Sequence, residues 1–91
     1  MKILKLSLFV TGNTLPSQRA VDNLRSICQR LIRSAYELEV IDVLEHPARA
    51  ETERVLATPT LVRQHPLPVR KIIGDLSDHD HVLRVLDLPT A

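Results

Sequence analysis

The 91 residues, 44% of them apolar, suffice for one small domain with a modest core. A chain of this length hides only about 60 to 65% of its unfolded surface on folding, so a single domain over residues 1–91 is expected and a second independent one is not. Twelve Lys and Arg against eleven Asp and Glu leave a net charge of +1, which excludes attraction to nucleic acid or an anionic membrane through bulk charge.

The uncharged run from Leu6 to Gln18 is broken by Gly12, Asn13 and Pro16 and falls short of the roughly 20 apolar residues of a membrane span. The opening Met1-Lys2-Ile3-Leu4-Lys5 has no central apolar block or small-residue cleavage site of a signal peptide, and the single Cys28 cannot form an internal disulfide. A soluble, cytoplasmic protein is expected.

Leu4, Leu6, Leu8 and Val10 recur with the two-residue period of a strand, which Thr11-Gly12-Asn13-Thr14 ends. Pro16 suits the first turn of a helix whose apolar stripe is Ala20, Val21, Leu24, Ile27, Cys28, Leu31 and Ile32, at spacings of three and four. Leu38, Val40, Ile41, Val43 and Leu44 form a nearly continuous apolar run that predicts a central strand covered on both faces. Strand, helix, strand predicts a right-handed parallel unit.

Pro47 starts a second, short and highly charged helix with Ala48, Val55 and Leu56 inward and Arg49, Glu51, Glu53 and Arg54 outward. Thr58–Val62 and Val69–Ile73 read as strands, joined through His65-Pro66-Leu67-Pro68, too short a connection for anything but an antiparallel pair. Gly74-Asp75 ends the last strand, Ser77 is placed to cap a third helix with Asp80 three residues on, and Val82, Leu83, Val85 and Leu86 supply its apolar side. The order, strand-helix-strand-helix-strand-strand-helix, predicts a thioredoxin-like βαβαββα α/β fold with a mixed sheet, in which Pro59 falls where that fold commonly carries a cis proline.

The residues offer little to catalysis. Gly12 and Gly74 are the only glycines, so neither a P-loop nor a dinucleotide fingerprint can be written, and no cofactor is expected. Asp78-His79-Asp80-His81 contains ligand-type side chains, but on a helix the two histidines diverge by about 200°, and no metal site is expected. Cys28 sits on the apolar stripe, Ser17 and Ser77 have no nearby histidine and acid, and Phe9 and Tyr36 are too few for a base-stacking platform and read as core.

Four stretches together, Leu8–Thr14, Val40–Leu44, Leu56–Leu61 and Pro68–Ser77, resemble the circadian-clock KaiB family at family-like spacings over about Leu4 to Leu88. The resemblance implies a non-enzymatic timing adaptor that binds a KaiC-type hexameric ATPase and, where they are present, KaiA or a SasA-type histidine kinase. It also implies self-association as a dimer or tetramer, and a switch between the thioredoxin-like fold and a rearranged ground state. Contact residues implied for the ATPase are Arg54, Arg19, Arg63, Arg70, Lys71 and Asp42; switch positions are Pro59, Pro66, Pro68, Gly74, Asp75, Val85 and Asp87. X-Pro isomerisation, taking tens of seconds or longer, is a physical route to such a switch.

Each implied residue has a plainer reading. Arg54 can pair with Glu51 or Asp42 on a solvated helix face. Arg70 and Lys71 are neighbours on a strand, so only one faces a given partner, and long cations on edge strands discourage stray pairing. Val85 stands where cyanobacterial members carry glycine, which favours the helix and hence the thioredoxin-like state. Ala48 and Glu39 stand where those members tend to have Gln and Lys, which points to drifted interface chemistry. The competing classes are a thioredoxin-like thiol oxidoreductase, against which the missing Cys-x-x-Cys argues, and an excised sensory domain of a SasA-type histidine kinase.

Overall fold

The computed structural model describes residues 3–31 and 35–87. The chain runs β1 (Leu4–Val10), α1 (Leu15–Leu31), β2 (Tyr36–Asp42), α2 (Pro47–Thr52), β3 (Thr60–His65), β4 (Arg70–Ile73) and α3 (His79–Leu86). This is the predicted order of elements. The sheet is mixed, in the order β2-β1-β3-β4, with β1 parallel to β2 and antiparallel to β3, and β3 antiparallel to β4.

β1 therefore occupies the interior of the sheet. Leu4, Leu6, Leu8 and Val10 face α1 and α3, meeting Ala20, Leu24, Ile27 and Cys28 of α1, Leu61, Ile72 and Val82. Phe9, wholly buried, points to the opposite face, where Ile41 and Val62 join it under Val43, Ala50 and Val55. Helices α1 and α3 thus cover one face and the short α2 the other. The Leu31 side chain and Ile32, at the end of the expected α1 stripe, lie outside the described residues.

β2 is not the doubly covered central strand expected. It is an edge strand in which only Ile41 is buried, and Val40 is 45% exposed. The crossover through α1 puts β2 on one side of β1, and β3 returns on the other, so β1 takes the centre. Val43 and Leu44, which lengthened the apolar run, belong to the turn that follows. Tyr36, expected in the core, opens this edge strand and is 40% exposed.

α2 ends at Thr52, earlier than expected, so Arg54 and Leu56 lie beyond it; Leu56 is 94% exposed and Ala48 is exposed too, although both were expected inward. In α3 the cap is Asp78 rather than Ser77: the Asp78 carboxylate accepts from the His81 backbone N–H at 3.0 Å, satisfying an orphan donor of the first turn, while the Ser77 N–H donates to the Asp75 carboxylate. Val82 and Leu86 are buried, with Leu83 and Val85 packed partly against the same cluster, as the sequence predicts. The Thr58–Pro59, His65–Pro66 and Leu67–Pro68 peptide bonds are cis.

Candidate docking surface

The six residues of α2 bury no side chain completely, so the helix is held largely by what surrounds it. Pro47 starts it. On its β2 side, Arg49 forms a two-pronged ion pair with Glu39, Nη2 to Oε1 at 2.7 Å and Nη1 to Oε2 at 3.1 Å, while Ser7 Oγ donates to the same carboxylate at 3.1 Å. The Arg49 guanidinium holds the Glu39 carboxyl below its ordinary range, against the opposing effect of partial burial. Glu39, expected as a departure from a basic position, is therefore a strap between β2 and α2.

The C-terminal end of α2 is a Schellman turn. The Arg54 N–H donates to Glu51 O at 3.1 Å and the Val55 N–H to Ala50 O at 2.8 Å, and Val55 and Ala50 pack on the same apolar cluster. Arg54 fills the left-handed position of this turn with φ 55°, where glycine is the usual occupant. Among the described residues its guanidinium enters no ion pair; neither Glu51 nor Asp42 neutralises it. Arg54 and the exposed Leu56 border an open depression of about 660 Å³ floored by Val43, Ala50 and Val55.

Lys71 meets this loop from β4. Its ammonium donates to the Glu53 carbonyl and, at 3.3 Å, to the Arg54 carbonyl. Ile73, 68% exposed, follows Lys71 on the same face of β4, because side chains two apart on a strand share a face. The result is an apolar depression on the α2 side of the molecule bordered by Arg54 and Glu51, with Lys71 behind the loop that carries Arg54.

The other predicted contact residues lie elsewhere. Arg70 is exposed but points to the opposite face of β4 from Lys71. Arg19 lies on α1, in the layer across the sheet, beside Asp22 and Asp75. Asp42 is committed internally, its carboxylate accepting from the Gly12 N–H at 3.2 Å and the Leu44 N–H at 2.9 Å. Arg63 is a correction: only 3% exposed, it donates to the carbonyls of Leu86 and Pro68, the latter at 2.7 Å, so in this fold it ties α3 to the β3–β4 turn and offers no charge to a partner.

Of the expected switch positions, Gly74 (φ 125°) and Asp87 (φ 51°) adopt left-handed backbone, Asp87 as the C-cap of α3. Leu76, which the sequence reading did not single out, also has φ 64° and turns its side chain into the core. The Asp75 carbonyl accepts from Asn23 Nδ2 at 2.7 Å, fastening this segment to α1.

The start of α1, where Thr11 Oγ1 hydrogen-bonds to Thr58 Oγ1 beside cis Pro59, carries no cysteine. Cys28 lies toward the C-terminal end of α1 on its core-facing side, 3% exposed, and burial pushes its thiol up to about 11. It supplies no thiolate at neutral pH. Among the described residues no three His, Cys, Asp or Glu are placed to share a metal, and no helix is long and apolar enough to cross a membrane.

Residues 7–88 match the KaiB domain family. The chain belongs to the KaiB family. It is 47% identical over 88 residues to the circadian clock protein KaiB3 of Synechocystis sp., covering 97% of this chain and 86% of that protein. It is 54% identical over 83 residues to the circadian clock oscillator protein KaiB of Prochlorococcus marinus, covering 91% and 70%.

Among solved structures, the N-terminal domain of Synechococcus elongatus SasA superposes with a TM-score of 0.78 at 30% identity, covering 96% of this chain and 86% of that one. Mitochondrial thioredoxin 3 of Saccharomyces cerevisiae superposes with a TM-score of 0.75 at 23% identity over 93% and 78%, a likeness of fold. The thioredoxin-like expectation therefore holds for a member of a clock-protein family. Leu56 and the role of Lys71 were missed because no glycine marks the stop of α2, and a helix drawn through Arg54 turns Leu56 the wrong way.

Proposed function

We propose that this chain is a timing adaptor that acts by binding and not by catalysis, docking the α2 side of its sheet on a KaiC-type hexameric ATPase in the cytoplasm and biasing that enzyme's phosphorylation or ATPase state. The observation that carries the reading is Arg54. Among the described residues its guanidinium has no ion-pair partner, and it stands at a backbone position that favours glycine, near a leucine that is 94% exposed. Non-glycine residues in left-handed backbone cost of order 1 kcal/mol or more and concentrate at functional sites, and Arg54, unlike the buried Leu76 in the same backbone region, turns its side chain to the surface, which supports a role for it. Apolar area with a cation beside it suits a protein surface bearing apolar side chains and a carboxylate.

Kinship with the SasA domain supports a second element of the reading: where a host encodes a SasA-type kinase or KaiA, these proteins meet the adaptor on the same ring. A ligand that binds one conformation better shifts the ring's population toward it, with no chemistry from the adaptor.

The test is size-exclusion chromatography with the purified KaiC-type ATPase, with and without nucleotide. Co-elution of the wild-type chain is expected, with a loss of affinity of about tenfold or more for Arg54→Glu at an unchanged circular-dichroism spectrum. Equal affinity of the two would overturn this surface.

A further inference from the structure

Lys71 occupies an unusual place for an edge-strand lysine. Its ammonium is spent on two backbone carbonyls, Glu53 O at the C-cap of α2 and Arg54 O in the turn just beyond it. Helix C-termini leave carbonyls without partners and carry the negative end of the dipole, so a cation is well matched there. We infer that Lys71 is a positioning residue for the docking loop: by clamping these carbonyls it holds residues 53–56 so that Arg54 and Leu56 point outward. The inference rests on the docking reading above and deepens it.

Three observations support the clamp. α2 has six residues and buries none of them fully, so the loop that follows depends on outside fasteners, of which Gln64 of β3 holds the Glu53 side chain and Lys71 the backbone of residues 53 and 54. The left-handed Arg54 is disfavoured intrinsically, and the Schellman bonds use the N–H groups of Arg54 and Val55, leaving the carbonyls of Glu53 and Arg54 for another donor. That donor comes from β4, two strands away from β1, so the loop is fixed to the rigid sheet and not merely to its own helix. A lysine kept only to repel stray strands has no need of a defined acceptor.

Holding a loop in its bound shape improves affinity by lowering the ordering entropy lost on docking. A direct contact and a positioning role therefore differ in the free protein. The experiment combines amide hydrogen exchange on the free chain with affinity for the hexameric ATPase, for wild type, Lys71→Met and Lys71→Arg. For Lys71→Met, the Arg54 and Val55 amides exchange about tenfold faster while β1 amides are unchanged, and affinity falls about fivefold, the range expected for loss of a charge-assisted hydrogen bond on an exposed surface. Lys71→Arg, which keeps donors for both carbonyls, restores both readings.

In the background Arg54→Ala with Leu56→Ala, Lys71→Met changes affinity by less than about twofold, because there is nothing left to present. Unchanged exchange at Arg54 and Val55 overturns the clamp, whatever the ring does. A fivefold loss that persists in the double background also overturns it, since Lys71 then touches the partner itself. Failure of the wild-type chain to bind the ring strikes the docking reading alone, and the exchange arm still decides the clamp.

Discussion

Arg54 and Arg63 show how alike two arginines look in a sequence and how differently they are used. Arg54 pays a backbone penalty to stand in water; Arg63 is buried with two carbonyl partners, no carboxylate, and an Nε with no partner of its own. Replacing Arg54 by glycine relieves the left-handed strain, so Arg54→Gly is expected to raise stability by about 0.5–1 kcal/mol, read as a higher urea midpoint at constant slope, while weakening docking. A drop in stability would mean that the side chain packs in the free protein. For Arg63 the sign reverses. Arg63→Ala removes the donors to Leu86 and Pro68 and leaves a void, with an expected loss of about 2–4 kcal/mol in urea unfolding and faster exchange in the last turn of α3. A near-neutral result would mean that water replaces the guanidinium.

The elements were legible where periodicity and punctuation agreed. Alternation in Leu4–Val10, the Pro16 start and stripe of α1, and the short proline-rich link between β3 and β4 each carried one physical reading, and each element is found. What failed depended on neighbours in space. A continuous apolar run cannot distinguish a central strand from an edge strand followed by an apolar turn, and a helix stop without glycine cannot be seen before its Schellman bonds are. The cap of α3 slipped by one residue because Ser77 and Asp78 are both good caps and only geometry selects between them. The proposed patch combines residues singled out in the sequence, Arg54 and Lys71, but the sequence did not tell that they meet or that Arg63 leaves the surface. Val85 was legible in both respects, as a helix position and as apolar cover. Val85→Gly is expected to cost about 1–1.5 kcal/mol, from lower helix propensity and lost partial burial against the core. Exchange in α3 should quicken before that in β1; a uniform change across the chain would show that α3 does not open separately.

The whole molecule closes around α1, and Cys28 reports on that closure. The thiol lies in the larger core cluster with Leu24, Ile27 and the inward face of β1, and burial pushes it from 9.0 up to about 11. A group whose pKa is raised by folding adds stability below its unfolded value and loses it as pH rises through the folded one, so this contribution is intact to about pH 9 and fades between about 9 and 11. Thermal unfolding of Cys28→Ala should lack that part of the alkaline decline, its curve running below that of the wild type by a constant packing offset from neutrality to pH 9. The same burial forbids thiol exchange from the native state. A disulfide reagent is expected to modify Cys28 only through opened states, far more slowly than a free thiol, with a rate that rises with urea and levels off at the unfolding rate once reaction outpaces reclosing. Rapid, concentration-dependent modification at neutral pH would place the thiol at the surface, and with turnover in an insulin-reduction assay would restore the oxidoreductase class that the buried cysteine argues against.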